Sequence, residues 1–161
     1  MKSCIVFVLC VFFGILLYAT ESEMLVQYQF DKFYSIQPAD RSELKQKTVC
    51  TVKYDQQNIY VYWEADIDSS FKTTKRGRKD DLQDADFLRT QISTLPGDSF
   101  CYVFYVYPDG SVTDAIRDEN FSLNTNWDSH AKAENQFKDS VWYSTLTIPF
   151  KDLRYNGEAP Y

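Results

Sequence analysis

The chain has 161 residues, with 17 Lys and Arg against 23 Asp and Glu, a formal net charge of −6 at pH 7. That acidic field repels phosphate backbones and argues against nucleic acid as a partner, because nucleic-acid binders carry a basic footprint. A single histidine, His130, and the lack of CxxC or Cys/His spacing set aside most histidine-based catalytic triads and a structural zinc.

The first stretch, residues 1–19, reads as a secretory signal peptide. Lys2 supplies a basic start, residues 4–17 (CIVFVLCVFFGILL) are apolar and uncharged, and Ala19 offers a small residue at the cut. A leader has an apolar core of about 7–15 residues, whereas a permanent spanning helix needs about 20. The protein is therefore expected to be exported to the periplasm, the cell envelope or the medium. Cys10 lies inside the apolar core and is badly placed for lipid attachment. Residues 20–47 form an N-terminal lead-in and edge segment.

Twelve Tyr, twelve Phe and only five Gly favour strands. Residues 48–54 (TVCTVKY) and 59–65 (IYVYWEA) flank a short polar turn, the mark of a hairpin. In the second strand Ile59, Val61, Trp63 and Ala65 share one face, and Tyr60, Tyr62 and Glu64 share the other. Residues 69–86 are polar, lack apolar periodicity and read as a long loop, of a length that is usually functional or mobile. A third strand covers residues 87–92 and a turn follows at 95–98. Residues 100–107 (FCYVFYVY) are apolar on both faces and predict a central strand. Pro108-Asp109-Gly110 turns the chain into a strand at 112–115. A weaker polar strand covers 131–137, and an alternating one covers 141–148, stopped by Pro149. Short strands with turn signals between them and no helical period predict an all-β fold, a two-sheet antiparallel β-sandwich of jelly-roll or immunoglobulin-like type.

Three segments carry a resemblance: residues 52–68 (VKYDQQNIYVYWEADID), residues 78–115, and residues 127–155 with the closing Ile148-Pro149-Phe150 and Leu153-Arg154-Tyr155. Together they resemble the family 9 carbohydrate-binding modules, closest to the version that precedes a β-barrel in bacterial outer-membrane proteins. The likeness spans residues 48–155. It implies two packed antiparallel sheets, sugar binding and, in some members, structural calcium. This chain departs from the family pattern at Thr145, where the family has an acid, and at Phe87, which replaces the acid of an Asp-x-Val-Glu strand. The tryptophan expected before Asp84 is also missing.

Sugars lay apolar C–H faces on aromatic rings while polar groups fix their hydroxyls. Trp63 and Trp142 share strand faces with Ile and Leu, so core packing is expected for both. Trp127 follows a polar loop and is the candidate sugar-stacking ring, with Asp80, Asp81 and Asp84 as candidate polar partners. The competing role for Trp127 is a loop anchor. The carboxylates at 66, 68, 80, 81, 84 and 86 are hard oxygen donors of the kind calcium takes, but no EF-hand spacing is present. Solvated carboxylates beside Lys75, Arg76, Arg78 and Lys79 explain them equally. No cofactor is expected, and a calcium ion, if held, would use Asp66 and Asp68. Cys50 and Cys101 pair as a disulfide or stay buried thiols.

These readings favour an exported, non-catalytic carbohydrate-binding domain whose partner is a polysaccharide or glycan. The second expectation is a structural or docking domain of a larger outer-membrane barrel protein, with residues 156–161 a truncated tail and the barrel missing. The third is a small glycoside hydrolase, which requires two carboxylates facing one groove.

Overall fold

Alternation of apolar and polar side chains in residues 48–54, 58–66 and 141–149 puts one face of one sheet into a shared interior, and the result is a two-sheet β-sandwich. The computed structural model describes residues 10–11, 26–34, 43–44, 46–73, 85–94 and 100–154. These form ten strands: β1 (Cys10–Val11), β2 (Val26–Phe30), β3 (Thr48–Tyr54), β4 (Asn58–Asp66), β5 (Leu88–Ile92), β6 (Phe100–Val106), β7 (Val112–Asp118), β8 (Leu123–Asn124), β9 (Lys132–Lys138) and β10 (Val141–Pro149). One 3₁₀ turn, Phe150–Asp152, follows β10.

One sheet has the order β1-β5-β6-β7-β8 and the other β2-β3-β4-β10-β9. All neighbours are antiparallel except β1 and β5, where Cys10 and Val11 pair in parallel with Gln91 and Ile92. Thus two residues of the segment read as a leader extend the first sheet at the β5 edge. In the second sheet β4 is central, with β10 on one side and β3 on the other. The predicted strands lie close to those found; β7 runs on to Asp118, and β2 and β8 add pairs that the strand pattern did not single out.

The interior is built from Cys50, Val52 and Tyr54 of β3, Ile59, Val61 and Trp63 of β4, and Trp142, Leu146 and Ile148 of β10. Leu88 and Ile92 of β5 and Tyr102, Phe104 and Val106 of β6 face them from the other sheet. Trp63 and Trp142 are 1% and 2% exposed, as the alternation predicts for core residues. Truncating either to Ala would cost about 3–5 kcal/mol. β6 is buried on both faces: Cys101, Val103 and Tyr105 form a second apolar cluster on its other side, with Tyr107 and Ala85. Cys50 and Cys101 therefore belong to different clusters, and no bond joins them.

The turns follow local chemistry. Asp55 Oδ1 accepts the N–H groups of Gln57 and Asn58, both at 2.7 Å, which closes the β3–β4 hairpin. Gly110 takes φ 84° in the β6–β7 turn, where a side chain would be strained. No helix among the described residues is long and apolar enough to cross a membrane.

Candidate functional site

The C-terminal end of β4, the start of β10 and the approach to β5 meet at one end of the sandwich, where the two sheets leave a small cleft. Ala65, Leu88, Phe71, Phe87 and Trp142 form its apolar lining, and Gln46, Asp66, Asp68, Ser70 and Asp86 its polar one. The cavity measures about 40 Å³, enough for a few water-sized groups at ~10–15 Å³ each and too small to enclose a sugar ring. Beside it Phe71 meets Trp142 edge-on at 5.5 Å, and Phe137 stacks on Trp142 at 5.9 Å with an interplanar angle of 22°. Phe137 is 45% exposed, so an aromatic ring stands open to solvent against Phe71 and Trp142, two of the rings that line the cleft. The Trp142 indole N–H is buried without a hydrogen-bond partner.

Each carboxylate is held by its neighbours. Asp66 Oδ2 accepts the Lys47 N–H at 3.2 Å. Asp68 Oδ1 accepts both the N–H and the hydroxyl of Ser70, at 2.8 and 2.5 Å, while its Oδ2 takes the Gln46 amide at 2.9 Å. Asp86 Oδ2 accepts the Lys72 N–H at 2.8 Å, and the Asp86 N–H returns a bond to the Lys72 carbonyl. This reciprocal pair clamps the two ends of the long loop at the mouth of the cleft.

The environments drive two of these acids apart. The Ser70 hydroxyl, then the Ser70 N–H and the Gln46 amide, hold Asp68 below the usual carboxylate range. Burial pushes Asp86 up and the Asp68 charge adds to that push, against the opposing N–H and charge of Lys72.

The structure places Asp66 and Asp68 in this cleft together. Among the described residues no group of three or more His, Cys, Asp or Glu side chains is arranged to hold a metal ion, and the Asp66 and Asp68 oxygens accept the bonds just given. The calcium expectation thus gains nothing from the geometry. Asp80, Asp81 and Asp84 lie outside the described residues. Trp127 sits elsewhere. It is half-buried and packs on Tyr102 at 4.8 Å and Phe104 at 6.0 Å. Leu88 pairs with Val106 whereas Ile92 pairs with Tyr102, so Trp127 anchors its loop toward the opposite end from the cleft. The same end holds Asp152, which accepts the His130 N–H at 2.7 Å and contacts its ring Nδ1 at 3.0 Å.

The sequence pattern does not mark Gln46, Phe71 or Phe137 as site residues. It offers Asp86 only as one of six acids that could serve calcium, and only the pairing that brings β5 beside the β4 end sets it against Asp68. No family model, curated protein or solved structure matches the chain. The fold and the cleft define a β-sandwich with a polar-aromatic end site.

Proposed function

We propose that this chain is an exported, non-catalytic domain that binds a polysaccharide or glycan, in the manner its resemblance to the family 9 carbohydrate-binding modules implies. The observation that carries the reading is the juxtaposition at the cleft: the exposed Phe137 ring stacks on Trp142, whose pocket also holds Asp66, Asp68, Asp86 and Gln46. A sugar laid on Phe137 would direct hydroxyls toward those acceptors, which is how aromatic and polar groups divide the work in such sites. The cavity takes hydroxyl-sized groups, which suits recognition at the rim and leaves no room for an enclosed substrate. The test is a glycan array probed with the wild-type protein and with Phe137→Ala and Asp86→Asn. Selective binding that both variants weaken supports the reading; absence of binding to every glycan would sink it.

A second reading, a small glycoside hydrolase, draws on one observation. Asp68 and Asp86 line the same cleft with their affinities for a proton pushed in opposite directions, the pattern that separates a general acid from its partner carboxylate. It predicts release of reducing ends from a polysaccharide, abolished by Asp86→Asn.

A further inference from the structure

The β7–β8 turn carries a modification motif that the cleft does not use. Of the six asparagines in the chain, Asn120 alone has Ser or Thr two residues on, in Asn120-Phe121-Ser122. Asn-x-Ser/Thr, with x other than Pro, is the acceptor pattern for N-linked glycans. A tripeptide recurs by chance, so the fold decides whether an enzyme can reach it. Residues 118–122 are all exposed. Asp118 Oδ1 accepts the N–H groups of Asn120 and Ser122, each at 2.9 Å, and the Asp118 carbonyl accepts the Phe121 N–H at 3.1 Å. The turn thus ties down the backbone of the tripeptide, while the Asn120 side-chain amide makes no hydrogen bond among the described residues. The other described asparagines are engaged. Asn58 donates to the Tyr60 hydroxyl, Asn124 Oδ1 accepts the Asn126 N–H, and the Asn135 amide donates to the Tyr107 and Pro108 carbonyls.

We propose that Asn120 is the attachment site of an N-linked oligosaccharide, added by a membrane-bound oligosaccharyltransferase as the chain is exported. Attachment there requires the export half of the reading above and does not depend on glycan recognition at the cleft. The donor is an oligosaccharide joined to a lipid through a diphosphate. Asn120 Nδ2 attacks the anomeric carbon of the first sugar, forming an N–C bond as the C–O bond to the diphosphate breaks. The lipid diphosphate leaves with the electron pair, and the amide passes one proton to the transferase. The Ser122 hydroxyl is the group by which the enzyme tells this asparagine from the rest.

The fold suits that step in three ways. β8 is two residues long and lies at a sheet edge, held by the pairs Ile116–Asn124 and Arg117–Leu123. So short an edge opens locally while the core stays folded, which lets the turn enter an enzyme's site. Asp118 pairs with Phe100, whereas Leu88 of the cleft pairs with Val106 at the other end of β6. A bulky substituent on Asn120 therefore stands clear of the cleft. Phe121, finally, is 73% exposed, more than any other large hydrophobic side chain among the described residues, with the Arg117 guanidinium 4.9 Å from its centroid. Its φ of 63° is unusual for an aromatic residue and keeps an apolar ring in solvent beside the acceptor amide. A sugar on Asn120 covers that ring.

The experiment is expression of the full chain, leader included, in a secretory cell line, with a Gly-Asn-Ala-Thr reporter added after Tyr161. Peptide N-glycosidase release and mass mapping of the tryptic peptide from Asp118 to Lys132 locate any glycan. Wild-type protein should carry one at Asn120 and one on the reporter. Asn120→Gln and Ser122→Ala should each lose the first and keep the second, and Ser122→Thr should keep both. All three substitutions are at exposed positions, so the deglycosylated variants should melt with wild type, which separates a lost acceptor from lost folding. A glycosylated reporter beside a bare Asn120 overturns the proposal and leaves export standing. A glycan in that peptide that survives Asn120→Gln overturns it too. If reporter and Asn120 are both bare, the chain has not met the transferase, and the export reading falls and takes the attachment site with it.

Discussion

Ser144 faces the interior between Trp63 on β4 and Asn135 on β9, 3% exposed, and its hydroxyl has no hydrogen-bond partner. A buried hydroxyl that has given up water without gaining a protein partner weakens the fold, typically by about 1 kcal/mol or more. Ser144→Ala should therefore raise the urea midpoint by an amount equal to about 1 kcal/mol with an unchanged slope; a lower midpoint would show that the hydroxyl does have a partner. Asp86 makes a second prediction, with the opposite chemistry. Because burial raises its affinity for a proton in the folded state, the native protein binds that proton more tightly than the unfolded chain does. The contribution of Asp86 to stability is then highest below the ordinary carboxylate value of about 3.9 and declines as pH rises through its elevated folded value. Asp86→Asn keeps an oxygen to accept the Lys72 N–H and removes the buried charge. Its stability relative to wild type should be greater at pH 7 than at pH 3, as read from melting temperatures at the two pH values. A difference that shrinks with rising pH would contradict the burial argument.

At the scale of elements, the β9–β10 hairpin turns through Asp139 and Ser140, with φ 51° and 61°. Two positive-φ positions in a two-residue connection match the right-handed twist of the flanking strands, and Asn-Gly fits them best. The L side chain at each position costs roughly 1 kcal/mol. Asp139→Asn with Ser140→Gly should thus raise Tm by about 3 °C in calorimetry, with the strand register preserved. The β3–β4 turn responds to acid instead. Burial pushes Asp55 up, but the N–H groups of Gln57 and Asn58 and the Tyr60 hydroxyl outweigh it and hold the carboxyl below its usual range. Its stabilising effect is present above the ordinary carboxylate value and is lost as pH falls through the folded one. Asp55→Ala should accordingly lower Tm at pH 7 and have little effect at the acid end of the same titration. These hairpins also show why strands were legible in the sequence and the cleft was not. The alternation of Ile59, Val61 and Trp63 against Tyr60 and Tyr62 fixes the faces of β4 locally, and the doubly apolar run of β6 marks a strand covered on both sides. β2, with Gln27 and Gln29 between Val26, Tyr28 and Phe30, alternates too. It is an edge strand of five residues, and its identity comes from pairing with β3, a long-range event. Asp68 and Asp86 lie on either side of a long loop, so their meeting depends on how one sheet stacks on the other. Trp127, in contrast, drew notice as a loop aromatic, and its packing on Tyr102 and Phe104 gives it a structural task whatever else it does.

For the molecule as a whole, the two-layer design makes one buried thiol a reporter of global opening. Cys50 is 0% exposed and belongs to the cluster that joins both sheets. Burial pushes its thiol well above the ordinary range, so the reactive thiolate is scarce in the folded state. It lies on β3 between β2 and β4, paired with Phe30 on one side and Trp63 on the other. Fraying of a terminus does not reach it; β3 must separate from β4, or the sheets from each other. Alkylation of Cys50 by iodoacetamide, mapped by mass spectrometry, should therefore be negligible in native buffer. With urea its rate should rise along the slope of global unfolding, because the open state is the globally unfolded one. Trp142→Ala, which removes a ring from β10 on the far side of β4 in the same core, should accelerate labelling by the full factor of its stability loss. About 3 kcal/mol corresponds to roughly two powers of ten. If labelling at low urea proceeds with little urea dependence and is indifferent to Trp142→Ala, β3 opens by itself. The sandwich would then consist of a β4–β10–β9 unit of higher stability with a looser β2–β3 edge.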